Sequence, residues 1–215
     1  NDQQYLLCAS PERFLQKKGN QLISQPIKGT IKRILENDAD DQEQLKALQN
    51  SSKDKSENVM VVDLVRNDLS KICEQGSVHV SELFGIYSFP QVHQMISTIT
   101  GKVNDKVSFS EILDATFPMG SMTGAPKKSV METIDALEPT SRGLYAGTVG
   151  YFNPAGNFDF NVVIRSIFYN SETGQANYQV GGGITIYSDP EKEYEECLLK
   201  AAAIKKVLTT VQTLQ

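Results

Sequence analysis

The sequence predicts an α+β fold built on a large antiparallel sheet. Three observations carry that prediction. From Gly147 onward the apolar residues recur at every second position, and the turns Asn153-Pro154-Ala155-Gly156 and Asn170–Gln175 are too short for anything but hairpins. A helical repeat occupies residues 54–75 and stops at Gly76, a residue type that commonly follows a helix end. Elsewhere strand and helix signals are interspersed, which fits antiparallel strands with helices set aside from them.

The elements follow in order. Residues 5–35 alternate short apolar runs with the turn signals Ser10-Pro11 and Lys18-Gly19-Asn20, predicting strands. Residues 36–57 are charge-rich, with a helix expected around Leu45 and Leu48. Strands are expected across 77–103, from the alternation of Val78 and Val80 and the run Val92–Ile99. Ser108-Phe109-Ser110-Glu111 has the pattern of a capping box opening a short helix. The loop 118–125 leads to a second helix with Pro126 at its first position and an apolar stripe of Val130, Met131, Ile134 and Leu137. Strands are then expected at Thr148–Phe152, Phe158–Tyr169 and Ala176–Tyr187. Ser188-Asp189-Pro190-Glu191 reads as another capping box, opening a helix that runs to about Val211.

Composition narrows the function. The 215 residues carry 21 Lys+Arg against 26 Asp+Glu, a net charge of −5. A chain-wide nucleic-acid grip would need a basic face, so no nucleic-acid partner is expected. No apolar run approaches the ~20 residues needed to span a bilayer, so no membrane partner is expected either. Cys8, Cys73 and Cys197 are far apart and form no CxxC pair, which suits reduced thiols and a cytoplasmic location. The chain opens without Met and enters an apolar run at Tyr5, which reads as a segment of something longer.

Several residues sit where structure alone does not call for them. On a helical wheel Asp54, Glu57, Val61, Leu64, Val65, Asp68 and Ile72 share one stripe, so acids lie on the face expected to be buried. An exposed first turn that complements the helix dipole would also explain Asp54 and Glu57. In the last helix Glu193 and Glu196 repeat the three-residue spacing, and Lys200 follows Glu196 at the distance of an ordinary surface pair. Two such acidic pairs on two helices could hold a hard cation such as magnesium. Arg165 shares an expected strand face with Val163 and Ile167, where an inward guanidinium would suit a carboxylate or phosphate. Gly181-Gly182-Gly183 would weaken a strand, so either a bulge or close approach of a ligand to bare backbone is expected there. The loop from Gly120 to Lys127 ends at a helix N-terminus, a natural anion site, although it lacks Walker A spacing.

Together these stretches resemble the chorismate-utilising enzymes. The resemblance rests on Ser10-Pro11-Glu12-Arg13-Phe14, Pro26-Ile27-Lys28-Gly29-Thr30, Glu57-Asn58 followed by Val62 to Asp68, and Phe117 to Lys127. Gly147–Tyr151, Ile164-Arg165-Ser166, Gly181–Ile184 and Glu196 to Lys200 complete it, in order, across almost the whole chain. In this family Lys at the third position of Pro-Ile-Lys-Gly-Thr is similar to the aminodeoxychorismate synthase branch, whereas anthranilate and isochorismate synthases usually carry Ala there.

The resemblance implies a sandwich of large antiparallel sheets with helices outside. It implies that residues 1–215 are the C-terminal portion of a single chorismate-binding domain whose N-terminal part lies outside the sequence. The implied reaction is amination of chorismate at C4 to 4-amino-4-deoxychorismate, on the route to 4-aminobenzoate and folate. Lys28 resembles a nucleophile that attacks ring C2, Glu12 the general acid/base at the C4 hydroxyl, and His93 and Thr30 residues lining the ring. Glu57 and Glu196 resemble ligands of Mg2+, with Asp54 and Glu193 supporting them. Tyr145, Arg165, Lys200 and the backbone of Gly181, Gly182 and Gly183 resemble the grip on the substrate. Ammonia would come from a glutamine amidotransferase partner. The alternatives are an anthranilate synthase component I and an inactive chorismate-binding fragment.

Overall fold

The computed structural model describes residues 3–186 and 188–212. In chain order it contains β1 (Gln4–Cys8), β2 (Arg13–Lys18), β3 (Gln21–Gln25), β4 (Ile27–Lys32), α1 (Asp38–Asn50), α2 (Ser52–Ser70), β5 (His79–Ser88) and β6 (Val92–Lys102). There follow α3 (Phe109–Thr116), α4 (Lys127–Leu137), β7 (Thr148–Phe152), β8 (Phe158–Val162), β9 (Ser166–Asn170), β10 (Gln175–Asn177) and α5 (Pro190–Gln212). The α+β class holds, and β1/β9, β10/β9, β2/β3, β2/β8, β3/β6, β4/β6 and β5/β6 all pair antiparallel. The chain divides into two compact units.

The larger unit comprises Glu12–Pro139 and Gly150–Asn161. Its seven-stranded sheet is organised around β6. β3 and β4 lie in succession along one edge of β6, with Ser24 opposite Ile99 and Ile27 opposite Ile96. β5 covers the other edge, from His79 opposite Thr100 to Ser88 opposite His93. Leu15, Leu22, Met95 and Ile99 from the strands pack with Val61 and Leu69 of α2 in a fully buried core. Each such side chain contributes roughly 1.5–3 kcal/mol on leaving water. Phe109 at the start of α3 meets Phe152, Phe158 and Phe160 of the β7–β8 hairpin, at ring distances of 4.7, 5.1 and 5.3 Å.

Local signals set the ends of these elements. The capping box of α3 is present: Ser108 Oγ accepts from the Glu111 amide at 3.3 Å, and Glu111 accepts from the Ser108 amide at 2.8 Å. At the β7–β8 turn Asn153 Oδ1 accepts from the amides of Ala155 and Asn157, both at 3.0 Å. The charge-rich stretch becomes two helices that meet at Ser51, whose hydroxyl accepts from the Asp54 amide and caps α2. α2 ends at Ser70, short of the expected residue 75, because the chain beyond it joins β6: Cys73 bridges Val103 and the Glu74 amide donates to Lys102. Pro126 is the cap of α4 and not its first residue.

The smaller unit comprises Asn1–Pro11, Thr140–Val149 and Val162–Gln215. Its sheet has β9 in the centre, with β1 and β10 on either side. Two expected strands are corrected here. The stretch 158–169 is not one strand: β8 pairs with β2 and β9 with β1. The break is a tight turn in which the Ile164 amide donates to Val162, followed by Arg165 at φ +51. The strand expected at Ala176–Tyr187 shrinks to β10, and Tyr187 lies outside the described residues. Three glycines in a row lose more backbone entropy than other residues and offer a sheet no side chains to pack. The helix opening at Ser188 is also capped differently: Asp189 Oδ1 accepts from the amides of Glu191 and Lys192, both at 3.1 Å, with Pro190 in the first turn.

Candidate active site

The expected site residues divide between the two units. Glu12, Lys28, Thr30, Asp54, Glu57 and His93 belong to the larger unit, and Tyr145, Arg165, Gly181–Gly183, Glu193, Glu196 and Lys200 to the smaller.

In the larger unit Lys28 sits on a β-bulge. Ile27 pairs with Ile96 and Thr30 with Gln94, so Lys28 and Gly29 together oppose one residue of β6. Gly29 supplies the positive φ of +95 that the bulge needs. A Cβ on it would stand 3.0 Å from both Asp54 Cβ and Leu48 Cδ1. Glycine therefore lets β4 come close to the first turn of α2, and places the Lys28 segment beside Asp54. Lys28 is half-buried, and among the described residues its ammonium has no hydrogen bond or ion pair. Thr30 is exposed.

Asp54 and Glu57 lie at the margin of the buried face of α2, not at its centre. The expected stripe is rotated, because Asn58, Val61, Val62, Asp68 and Leu69 are the buried residues while Leu64 and Val65 are half-buried. Asn58 turns that face inward by accepting from Ser97 Oγ at 2.5 Å. Asp68 accepts from Lys71 at 3.0 Å and also from Lys127, whose ammonium donates in addition to the Thr116 carbonyl. Lys127 is thus engaged internally, and the expected anion site at the start of α4 loses its cation. Glu12 is buried, 6% exposed, and lines a cavity of about 20 Å³ with Ser24, Pro26, Val61, Val65 and Asp68. That volume holds about one water.

His93 does not share a face with Thr30. Paired residues of an antiparallel ladder project to the same side, and neighbours along a strand to opposite sides. Thr30 is opposite Gln94, whereas His93 is opposite Ile31. The His93 ring is 1% exposed and is flanked by Ser88 Oγ at 2.8 Å from Nδ1 and Asp41 Oδ1 at 3.1 Å from Nε2. Both ring nitrogens are committed to these neighbours. The residue beside Thr30 is Gln94, one step along the strand. The period-two rule could have pointed to it had β6 shown alternation, but residues 93–97 are buried without a break.

In the smaller unit six expected residues converge. A Cβ on Gly181 would stand 3.0 Å from the Tyr145 hydroxyl, and one on Gly182 would stand 3.0 Å from Glu193 Oε2. Lys200 donates to the Gly181 carbonyl at 2.8 Å and to Glu196 at 2.5 Å. Tyr145, the bare glycine backbone and one face of α5 therefore form one polar cluster. Arg165 is half-buried in the bend after β8 and is not on a strand face. Glu193 is 8% exposed; its Oε1 accepts from Ser188 Oγ at 2.8 Å, while buried Oε2 has no donor among the described residues. A carboxylate oxygen left so is costly unless something positive meets it. Among the described residues, no three His, Cys, Asp or Glu side chains converge on a metal position.

The model of the family described as chorismate binding enzyme matches residues 1–206. The chain belongs to that family. Aminodeoxychorismate synthase component 1 of Escherichia coli is 42% identical over 207 residues, covering 96% of this chain and 45% of that protein. The chloroplastic aminodeoxychorismate synthase of Arabidopsis thaliana is 46% identical over 199 residues, covering 92% of this chain and 21% of that protein. Among solved structures, anthranilate synthase component I of Streptococcus pneumoniae superimposes with a TM-score of 0.82 at 31% identity, over 93% of this chain and 43% of that one. The menaquinone-specific isochorismate synthase of Escherichia coli shares the fold, with a TM-score of 0.85 at 24% identity, over 97% of this chain and 47% of that one. The chain spans less than half the length of each of these proteins. Among the described residues no helix is long and apolar enough to cross a membrane.

Proposed function

We propose that this chain carries the catalytic residues of an aminodeoxychorismate synthase, which aminates chorismate at C4 with ammonia to give 4-amino-4-deoxychorismate. The observation that carries this reading is the pairing of 42–46% identity to two proteins of that name with a lysine at the Lys28–Gly29 bulge. In the proposed chemistry the free Lys28 amine adds to ring C2 as the C4 hydroxyl leaves, protonated by Glu12 to water. Ammonia then adds at C4, and the bond from C2 to Lys28 breaks. A lysine can attack only as the neutral amine, so a side chain with no carboxylate partner among the described residues suits the role. Glu12 is buried beside a cavity the size of about one water, a setting that suits a carboxyl acting as acid and base.

Glu57 and Glu196, supported by Asp54 and Glu193, would hold magnesium, which favours oxygen ligands and keeps positions open for substrate. The unmet Glu193 Oε2 supports that fit. When bound, the cation would neutralise substrate carboxylate charge. The backbone of Gly181–Gly183, with Tyr145, Arg165 and Lys200, would receive a carboxylate. His93 is assigned no chemistry. The name of the Escherichia coli relative, a component 1, supports an amidotransferase partner as the ammonia source. The route to 4-aminobenzoate and a cytoplasmic location belong to the same proposal.

The test is product identification by mass after incubation with chorismate, magnesium and ammonium. Aminodeoxychorismate that disappears in Lys28→Ala is expected. Anthranilate as product, or full activity in Lys28→Ala, would overturn the reading. Chorismate binding without turnover would identify the chain as a binding portion that needs the rest of the longer protein.

A further inference from the structure

The face of β4 that carries Ile31 meets a chain of four side chains that the proposed reaction does not use. Arg33 Nε and Nη2 donate to Asp41 Oδ2 at 3.0 and 2.7 Å. Asp41 Oδ1 accepts from the Ile34 amide at 2.9 Å and meets His93 Nε2 at 3.1 Å. His93 Nδ1 lies 2.8 Å from Ser88 Oγ. Asp41 and His93 are buried, Arg33 is half-buried and Ser88 is exposed. With Asp41 ionised, Nε2 carries the proton and Nδ1 accepts from the serine. The chain joins the residues after β4, the first turn of α1, the start of β6 and the end of β5.

β4 needs such an anchor. Among the described residues it pairs only with β6, whereas β3 pairs with both β6 and β2. Its register is loosened at the Lys28–Gly29 bulge, and beyond the bulge three ladder pairs remain before the strand ends at Lys32. An edge strand past a bulge has few backbone bonds to set its course, so side-chain anchoring decides it. The Arg33 amide donates to the Gln91 carbonyl at 3.0 Å, which fastens the same point to the β5–β6 turn.

We infer that Asp41 is a positioning residue for the Lys28–Thr30 segment: through Arg33, the Ile34 amide and His93 it fixes the far end of β4 and so sets how Lys28 and Thr30 are presented. The importance of that segment rests on the function proposed above. The anchoring itself does not, and the test keeps the two apart.

The experiment compares wild type, Asp41→Asn and Ser88→Ala at pH 7 by brief acetylation with mass spectrometry, reading Lys28 labelling relative to exposed Lys18. Amide exchange over residues 27–34 is measured alongside. Asp41→Asn should change the Lys28 ratio by about threefold or more and speed exchange in that segment, with a smaller change in Ser88→Ala. A core variant elsewhere in the same unit, Ile112→Ala, lowers stability generally and should leave the ratio unchanged, which separates positioning from loss of fold. An unchanged ratio with unchanged exchange in folded Asp41→Asn would overturn the inference. If that variant does not fold, Arg33→Gln and Ser88→Ala decide by the same criteria. Chorismate affinity is read in parallel: insensitivity to Lys28→Ala would sink the functional reading and leave the anchoring standing. A response to Lys28→Ala, with Asp41→Asn unchanged in every readout, would do the reverse.

Discussion

The two units hold their expected site residues by different means. In the larger unit Lys28 and Thr30 lie on a strand whose course is set by a ladder, a glycine contact with α2 and a buried ionic chain. In the smaller unit Gly181–Gly183 belong to no strand, and α5 buries Glu193, Ala201 and Ile204 while leaving Tyr194 and Leu199 exposed. A group proposed to react needs a fixed direction, which a packed sheet supplies. Groups proposed to receive a carboxylate through backbone N–H donors, or a cation through carboxylate oxygens, need close approach, which bare glycine supplies. The contrast can be broken or sharpened by substitution.

The largest effect is expected in the core of the seven-stranded sheet. Ile99 is fully buried where β3, β5 and β6 meet. Ile99→Ala removes its burial and leaves a cavity, which should cost about 2–5 kcal/mol. Urea unfolding would read this as a lower midpoint with an unchanged slope. A loss under about 1 kcal/mol would mean that the site closes up on truncation and that the sheet is less rigid than the contrast requires.

Gly29→Ala comes next. The substitution meets Asp54 and Leu48 at 3.0 Å and must also hold φ at +95. A non-glycine residue held so costs about 1–3 kcal/mol. The loss in unfolding free energy should come with altered Lys28 labelling. Stability lost without a change in labelling would detach the bulge from the presentation of Lys28.

These two positions show how much of the molecule is legible in sequence. The turn at Asn153, the capping box at Ser108 and the helix of α2 could be read because each is determined within a few residues. The motif containing Lys28 could be recognised, but its bulge could not, since that depends on Leu48 and Asp54 arriving from distant helices. The faces of His93 and Gln94 could not be told apart because β6 is covered on both sides and shows no alternation. The break at Arg165 was hidden for a related reason: β8 and β9 both carry strand-like residues, and only their partners β2 and β1 show that they belong to different sheets. The cluster of Tyr145, Gly181, Glu193 and Lys200 was legible as a list, while the lone Glu193 oxygen emerges only from packing.

Titration sets a third test, at both ends of the pH scale. Hydrogen bonds from Arg33, the largest influence, hold the Asp41 carboxyl down at about 2, with the Ile34 amide and His93 assisting against the effect of burial. A carboxyl depressed in the fold stabilises it above the unfolded pKa near 3.8, and that contribution fades as pH falls toward about 2. Wild type should therefore lose stability across that acid window more steeply than Asp41→Asn, which lacks the group. Cys73 behaves in the opposite way. Burial first, and the neighbouring Glu74 charge second, raise its thiol from 9.0 to about 11. The contribution of that neutral thiol is complete below pH 9 and is lost as pH rises toward 11. Cys73→Ala should flatten the alkaline limb of the stability profile, and an alkaline limb as steep as wild type's would assign the loss to other groups.

The smallest effects are expected in the smaller unit, where they say most about the contrast. Leu199 on α5 is 76% exposed, so Leu199→Ala should change unfolding by no more than about 0.5 kcal/mol. A loss of several kcal/mol would mean that this face is packed in solution. Gly182→Ala sharpens the same point. The new methyl meets Glu193 Oε2 at 3.0 Å, the end of a side chain and not backbone, and φ at Gly182 is not in the left-handed region. Stability should stay within about 0.5 kcal/mol while the space in front of the buried carboxylate is filled. Binding of magnesium, followed by calorimetry, should then weaken with no matching loss of fold. Equal losses in both would make the glycine run a structural necessity of the smaller unit. Loss of binding alone would make it an opening for a ligand, the role that sets this unit apart from the sheet that holds Lys28.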